Sequence, residues 1–192
     1  MSVKTMPVLR RSVNWRNWIK SCQNKVIRME SEDSVRIIMK KGSGFMVKVT
    51  FYNLDYVPND SLKYAVIAAR MGDKWILCRH KERTTWEIPG GHRENGEDIH
   101  DTAKRELYEE TGAVKFNIKP INIYSVAGAD ELIHNEKPTY GMLFYAQVES
   151  LADLPADMEM AEIQFCGTLP SNLTYPQIQP ELWKKVVKSE GL

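Results

Sequence analysis

Cysteine is scarce in this chain. Cys22, Cys78 and Cys166 are the whole complement, odd in number and far apart. That excludes a disulfide framework or a zinc finger and fits a reduced, cytoplasmic setting. No apolar run approaches the ~18 residues of a membrane helix, so no membrane partner is expected. The opening MSVKTMPVLRRSVNWRNWIK is basic but lacks the apolar stretch of a signal peptide. Repeats and low-complexity tracts are missing as well. With 9 Pro and 11 Gly in 192 residues, 43% hydrophobic and 27% charged, collagen-like, coiled-coil and wholly disordered chains are excluded. What remains is about one domain's length, enough to bury roughly 70% of the surface of the unfolded chain in a single core.

A net charge of +1 conceals an uneven distribution. Residues 1–50 hold eleven Lys/Arg against three Asp/Glu, a balance of +8, and the other 142 residues carry −7. The chain divides into a basic N-terminal extension, residues 1–45, and an acidic body, residues 46–192. Trp15 and Trp18 among Arg10, Arg11, Arg16 and Lys20 suit phosphate contact and base stacking, so nucleic acid is one partner for the extension. A helix or loose extension that shields the acidic body is the favoured reading.

Gly42-Ser43-Gly44 marks the expected linker. Segments 46–52, 64–70 and 74–80 read as strands, the last two joined by a tight turn at Gly72-Asp73. Pro89-Gly90-Gly91 reads as a hard stop for regular structure. Asp98 caps a helix running to about Thr111, and Gly112 stands where a left-handed C-terminal cap is wanted. Strand-like runs follow at 115–126, 140–148 and 162–166, and Pro180 opens a terminal helix. Strands around a central helix, with a second helix at the end, predict an α/β fold with a mixed sheet packed between helices.

The central helix carries the chemistry. At about 100° per residue, Ile99, Ala103 and Leu107 form its buried stripe. Glu106 and Glu110 fall inside or beside that stripe, and Glu109 lies on its border. Acids at i, i+3 and i+4 repel one another, and they crowd the helix end where the macrodipole disfavours negative charge by up to ~1 kcal/mol each. Something positive must offset this. Arg105 projects about 100° away from Glu106 and reaches Glu97, before the helix, more readily. The remaining carboxylates suit a hard divalent cation such as Mg2+.

Gly91, Glu97, Arg105, Glu106, Leu107, Glu109, Glu110 and Gly112 match the Nudix box, G-x5-E-x7-R-E-U-x-E-E-x-G-U with U aliphatic. Ala113 holds the last place, smaller than the usual branched residue. Trp86-Glu87-Ile88-Pro89-Gly90 resembles the entry to the box in MutT-type enzymes. The resemblance covers roughly residues 62–188 and leaves the extension unexplained. It implies an α/β/α sandwich with a mixed sheet and a box folded as loop, helix and loop. It further implies divalent metal, Mg2+ or Mn2+, on Glu106, Glu109, Glu110 and the Gly90 carbonyl. Glu97 and Arg105 would brace loop against helix, and Glu106 or Glu110 would act as general base in hydrolysis of a nucleotide diphosphate linkage. Glu159 and Glu162 are further candidates for an outer ligand or base.

On the substrate side, the resemblance gives Arg79 to the nucleotide. Trp86 is expected as a core or rim aromatic rather than a base-stacking one. His92 and His100, without partners at ligand spacing, read as surface residues. Asn172, near the last helix, is a candidate base-recognising amide. The MutT-like branch implies nucleoside triphosphate pyrophosphohydrolysis, oxidised guanine nucleotides such as 8-oxo-dGTP leading, with an RNA 5′-end pyrophosphohydrolase as the rival. A third reading, a nucleotide-binding regulator without catalysis, sits poorly with an intact glutamate set.

Overall fold

The computed structural model describes residues 36–37, 47–129, 134–154 and 159–192. Its strands are β1 (Arg36–Ile37), β2 (Val47–Tyr52), β3 (Leu62–Met71), β4 (Lys74–His80), β5 (Gly90–His92), β6 (Ala113–Ala129), β7 (His134–Leu151) and β8 (Met160–Cys166). The helices are α1 (Ile99–Thr111) and α2 (Gln179–Glu190). All eight strands join one sheet in the order β1-β2-β6-β7-β3-β4-β8, with β5 against β3. β3 and β7 run parallel and the other pairs antiparallel, so the sheet is mixed, as expected.

Period-two alternation along the central strands splits the apolar residues between two faces. Ala65, Ile67 and Ala69 of β3 and Met142, Phe144 and Ala146 of β7 pack with Ile99, Ala103 and Leu107 of α1. Ala68, Leu143, Tyr124 and Val126 meet Leu182 and Val186 of α2 on the other side. This is the α/β/α sandwich. Among the described residues no helix is long and apolar enough to cross a membrane.

Local signals set most boundaries. Met71 pairs with Lys74 across Gly72-Asp73, and the positive φ of Gly72, 58°, supplies the tight turn. The two long strands outrun their predicted lengths, because β6 and β7 pair with each other at both ends. Pro89-Gly90-Gly91 does not simply stop the chain. Gly90–His92 forms β5, which approaches β3 so closely that a Cβ on Gly90 would lie 2.8 Å from Val66 Cα. Glycine reads as punctuation in a sequence; here it is a strand at close approach. The Gly42-Ser43-Gly44 linker and the tryptophans of the extension lie outside the described residues. Arg36–Ile37 pairs antiparallel with β2, so the extension contributes to the sheet edge.

Candidate active site

Helix α1 is held at both ends by its own sequence. Asp98 accepts a hydrogen bond from the His100 amide at 2.8 Å, and Gly112, at φ 72°, donates its N–H to the Tyr108 carbonyl at 2.8 Å. No basic residue lies in the last turn. Glu106 and Glu110 are each 9% exposed beside the apolar stripe, as the wheel requires, and Glu109 is half-buried at its edge.

One guanidinium organises the acids. Arg105 donates from Nε and Nη2 to the two oxygens of Glu97 at 2.9 and 3.0 Å. Its Nη1 donates to Glu106 at 2.9 Å and to Glu109 at 3.0 Å, and Nη2 also reaches the His92 carbonyl. The brace to Glu97 is therefore present. The expectation that Arg105 turns away from Glu106 is corrected: a long side chain folds back over its own turn and bridges both acids. Arg105 holds the Glu97 carboxyl down to about 2, with the Glu94 amide and Thr102 hydroxyl assisting. Glu97 in turn raises the guanidinium's proton affinity.

Glu110 has no such partner. Its Oε2 accepts from the Gly90 amide at 2.7 Å and from the Cys78 thiol at 3.4 Å, which ties β5 and β4 to the helix. Burial pushes Glu110 up to about 8, partly countered by the Gly90 N–H and reinforced by Glu106 and Glu87. Burial also raises Glu106, against the opposing pull of Arg105. A Cβ on Gly91 would collide with the Glu106 carboxylate, so glycine there leaves room for that acid.

These groups face a cleft of about 910 Å3, within the size range of nucleotide sites. Among the described residues no three acids, histidines or cysteines already converge on one point as a metal cage; Arg105 ties three of the carboxylates together instead. The donor chemistry nevertheless fits a hard divalent ion. Glu106, Glu109 and Glu110 offer only oxygens, and a cation would favour the ionised form that burial disfavours in two of them. Gly90 lines the same cleft.

The expected residues do not all gather there. Arg79 is absent from the cleft wall. It bonds to Glu162 on β8 at 2.8 Å, donates from Nη1 to the Arg83 carbonyl at 2.8 Å, and lies 6.0 Å from the Trp86 ring centre. Glu159 lines the cleft, its side chain 83% exposed and 3.5 Å from His80. Trp86 is half-buried and is not part of the cleft wall. Asn172 braces the neighbouring loops through Thr84 and the Trp86 amide. His92 and His100 are exposed, His92 against Tyr64.

Sequence reasoning passed over three cleft residues. Glu87, 8% exposed, is raised by burial and pulled back by Arg83. In the sequence it stands within Trp86–Gly90 with nothing to mark a role of its own. Tyr124 is buried in the cleft wall, and burial raises its hydroxyl. Gln179, 5% exposed, has an Oε1 with no hydrogen-bond partner among the described residues. Only the fold brings these elements together, so no spacing rule signals them.

Comparison with known proteins identifies the family of the chain. The NUDIX domain model matches residues 62–175. YtkD of Bacillus subtilis, named as a candidate 8-oxo-dGTP diphosphatase, is 32% identical over 116 residues, 60% of this chain and 69% of that protein. An ADP-ribose pyrophosphatase of the same organism is 34% identical over 115 residues, 57% of each chain. The crystal structure of the B. subtilis pyrophosphohydrolase BsRppH, as its E68A mutant, superposes with a TM-score of 0.61 at 28% identity, covering 76% of this chain and 92% of that one.

Proposed function

From its membership of the NUDIX domain family, which the match over residues 62–175 establishes, we propose that this chain hydrolyses nucleoside triphosphates to the monophosphate and pyrophosphate, oxidised guanine nucleotides such as 8-oxo-dGTP foremost. The coarser activity is that of its family: it is a Nudix hydrolase acting on nucleoside diphosphate derivatives. Divalent metal dependence is general in that family.

The observation that carries the finer reading is a cleft lined by two chemically different sets of groups. One set is Glu106, Glu109 and Glu110 on α1; the other is apolar Val126, Ile178 and Leu182 with the phenol of Tyr124 and the buried amide of Gln179. The acidic set suits a metal-bound diphosphate, and the apolar set with the unpartnered Gln179 oxygen suits a nucleobase.

A divalent ion, when bound, polarises the phosphoryl oxygens and lowers the pKa of water. Glu106, Glu109 and Glu110, with the Gly90 carbonyl, are the groups to hold it. Glu110 is the favoured base. Its Oε2 is fixed by Gly90 and Cys78, its Oε1 accepts nothing from the described residues, and its proton affinity lies near neutrality. It takes the attacking water's proton, with Glu106 as the alternative. Arg105 and Glu97 keep the helix and loop in register while charge develops at phosphorus.

Likeness to BsRppH and the basic residues 1–45 favour a second reading, pyrophosphate removal from RNA 5′ ends. A panel of 8-oxo-dGTP, dGTP, ADP-ribose and 5′-triphosphorylated RNA, each with Mg2+ and with EDTA, separates the possibilities. The proposal expects 8-oxo-dGTP to give monophosphate and pyrophosphate with kcat/KM at least ~10-fold above dGTP, and no turnover in EDTA. Faster turnover of ADP-ribose or of the RNA end would overturn it.

A further inference from the structure

We propose that Arg83 grips the non-bridging phosphoryl oxygens of the substrate, and that Glu87 holds it in the cleft until they arrive. The inference rests on the hydrolase reading above, since it needs a diphosphate, but on no particular base.

Among the described residues the cleft is lined by three arginines and two histidines. The His92 ring packs against Tyr64, and three of the other four are committed. Arg105 serves three carboxylates and a carbonyl. Arg93, 12% exposed, is spent on both the carboxylate and carbonyl of Asp60 and on the Glu97 carbonyl. His80 faces Glu159 and accepts the Glu82 amide at Nδ1. Arg83 differs. Its side chain is 41% exposed, and a single nitrogen, Nη1, is shared between the two oxygens of Glu87, each at a long 3.2 Å. Tyr175 is its other partner, with the ring centre 5.9 Å away and the hydroxyl close enough to favour the cation. A guanidinium has five donors, so donors beyond those turned to Glu87 and Tyr175 remain for a ligand.

The backbone beneath this side chain is fixed. The Arg83 amide donates to the His80 carbonyl at 3.0 Å, and its carbonyl accepts Nη1 of Arg79 at 2.8 Å. Arg79, expected from the sequence to touch nucleotide, thus supports the residue that does. An anchored backbone with a lightly held, fork-shaped cation is suited to bidentate capture of phosphate. The charge requires it as well: Glu87, Glu106, Glu109 and Glu110 line the cleft, and a polyphosphate entering it needs positive charge beyond that of the metal. Glu87 presents two oxygens much as a phosphoryl group does, so the substrate joins or replaces it as the partner of Arg83.

The competing explanation is that Arg83 only neutralises buried Glu87. A double-variant comparison on the full chain separates them. KM and kcat are measured for whichever compound of the panel turns over fastest, and binding of inorganic pyrophosphate is followed by calorimetry, which needs no turnover. Arg83→Ala should raise KM and weaken pyrophosphate binding at least ~10-fold, with kcat within about threefold of the parent. Arg83→Met, which keeps the aliphatic stem against Tyr175, serves the same comparison if the alanine variant loses its fold. Arg83→Ala combined with Glu87→Gln should keep the high KM. Parental KM in the single variant, or restoration of KM by Glu87→Gln, would overturn the proposal. An error in the substrate class would change only which compound is assayed.

Discussion

Glu110 concentrates the electrostatics of the site in one titration. Burial keeps its proton on up to about pH 8 in the folded, metal-free protein, whereas an unfolded chain releases it near 4.5. The folded state therefore binds the extra proton between those values, and stability falls as pH rises from about 4.5 to 8. Glu97 behaves oppositely: held down to about 2 by Arg105, it adds stability above 4.5 that is lost as pH falls toward 2. Urea denaturation in EDTA at pH 5 and pH 8 should show Glu110→Gln abolishing part of the parent's decline, so that the variant gains on the parent at the higher pH. Equal declines in both proteins would show that Glu110 is not the buried titrating group. With metal and nucleotide present, the same variant should lose at least ~100-fold in kcat while keeping its fold.

At the scale of elements, two glycines flank the functional helix and have different jobs. A methyl group on Gly91 meets the end of the flexible Glu106 side chain, which yields by moving. On Gly112 it would sit against the Ala152 carbonyl, on a backbone at φ 72° that side chains disfavour. Gly91→Ala should therefore cut kcat sharply with little change in thermal midpoint. Gly112→Ala should lower stability by about 1–3 kcal/mol and leave kcat of the folded fraction close to the parent's. Thermal unfolding and steady-state kinetics on both variants test this, and a reversed pattern would contradict the geometry. Helix α1 was legible to the residue because Asp98 and Gly112 act locally. Strand β5 was not, since nothing near Gly90 announces that β3 runs alongside it.

For the whole molecule, the extension and the sheet meet at β1, which pairs through Arg36–Ile37 with β2 at the sheet's edge. Removing residues 1–45 should speed amide exchange along Val47–Tyr52 while leaving metal-dependent nucleotide turnover largely intact, because among the described residues those lining the cleft all lie beyond residue 62. Loss of turnover would mean that the extension completes the site. By itself the sequence determined the central strands, the capped helix and its glutamate trio, because strand propensity, helical periodicity, caps and box spacing act over a few residues. Only the tertiary structure decided that Arg105 clasps three acids, that Arg79 supports Arg83 instead of facing the cleft, and that Glu87, Tyr124 and Gln179 share its wall. Those contacts join strands and helices far apart in the chain, and proximity of that kind is set by packing rather than by spacing.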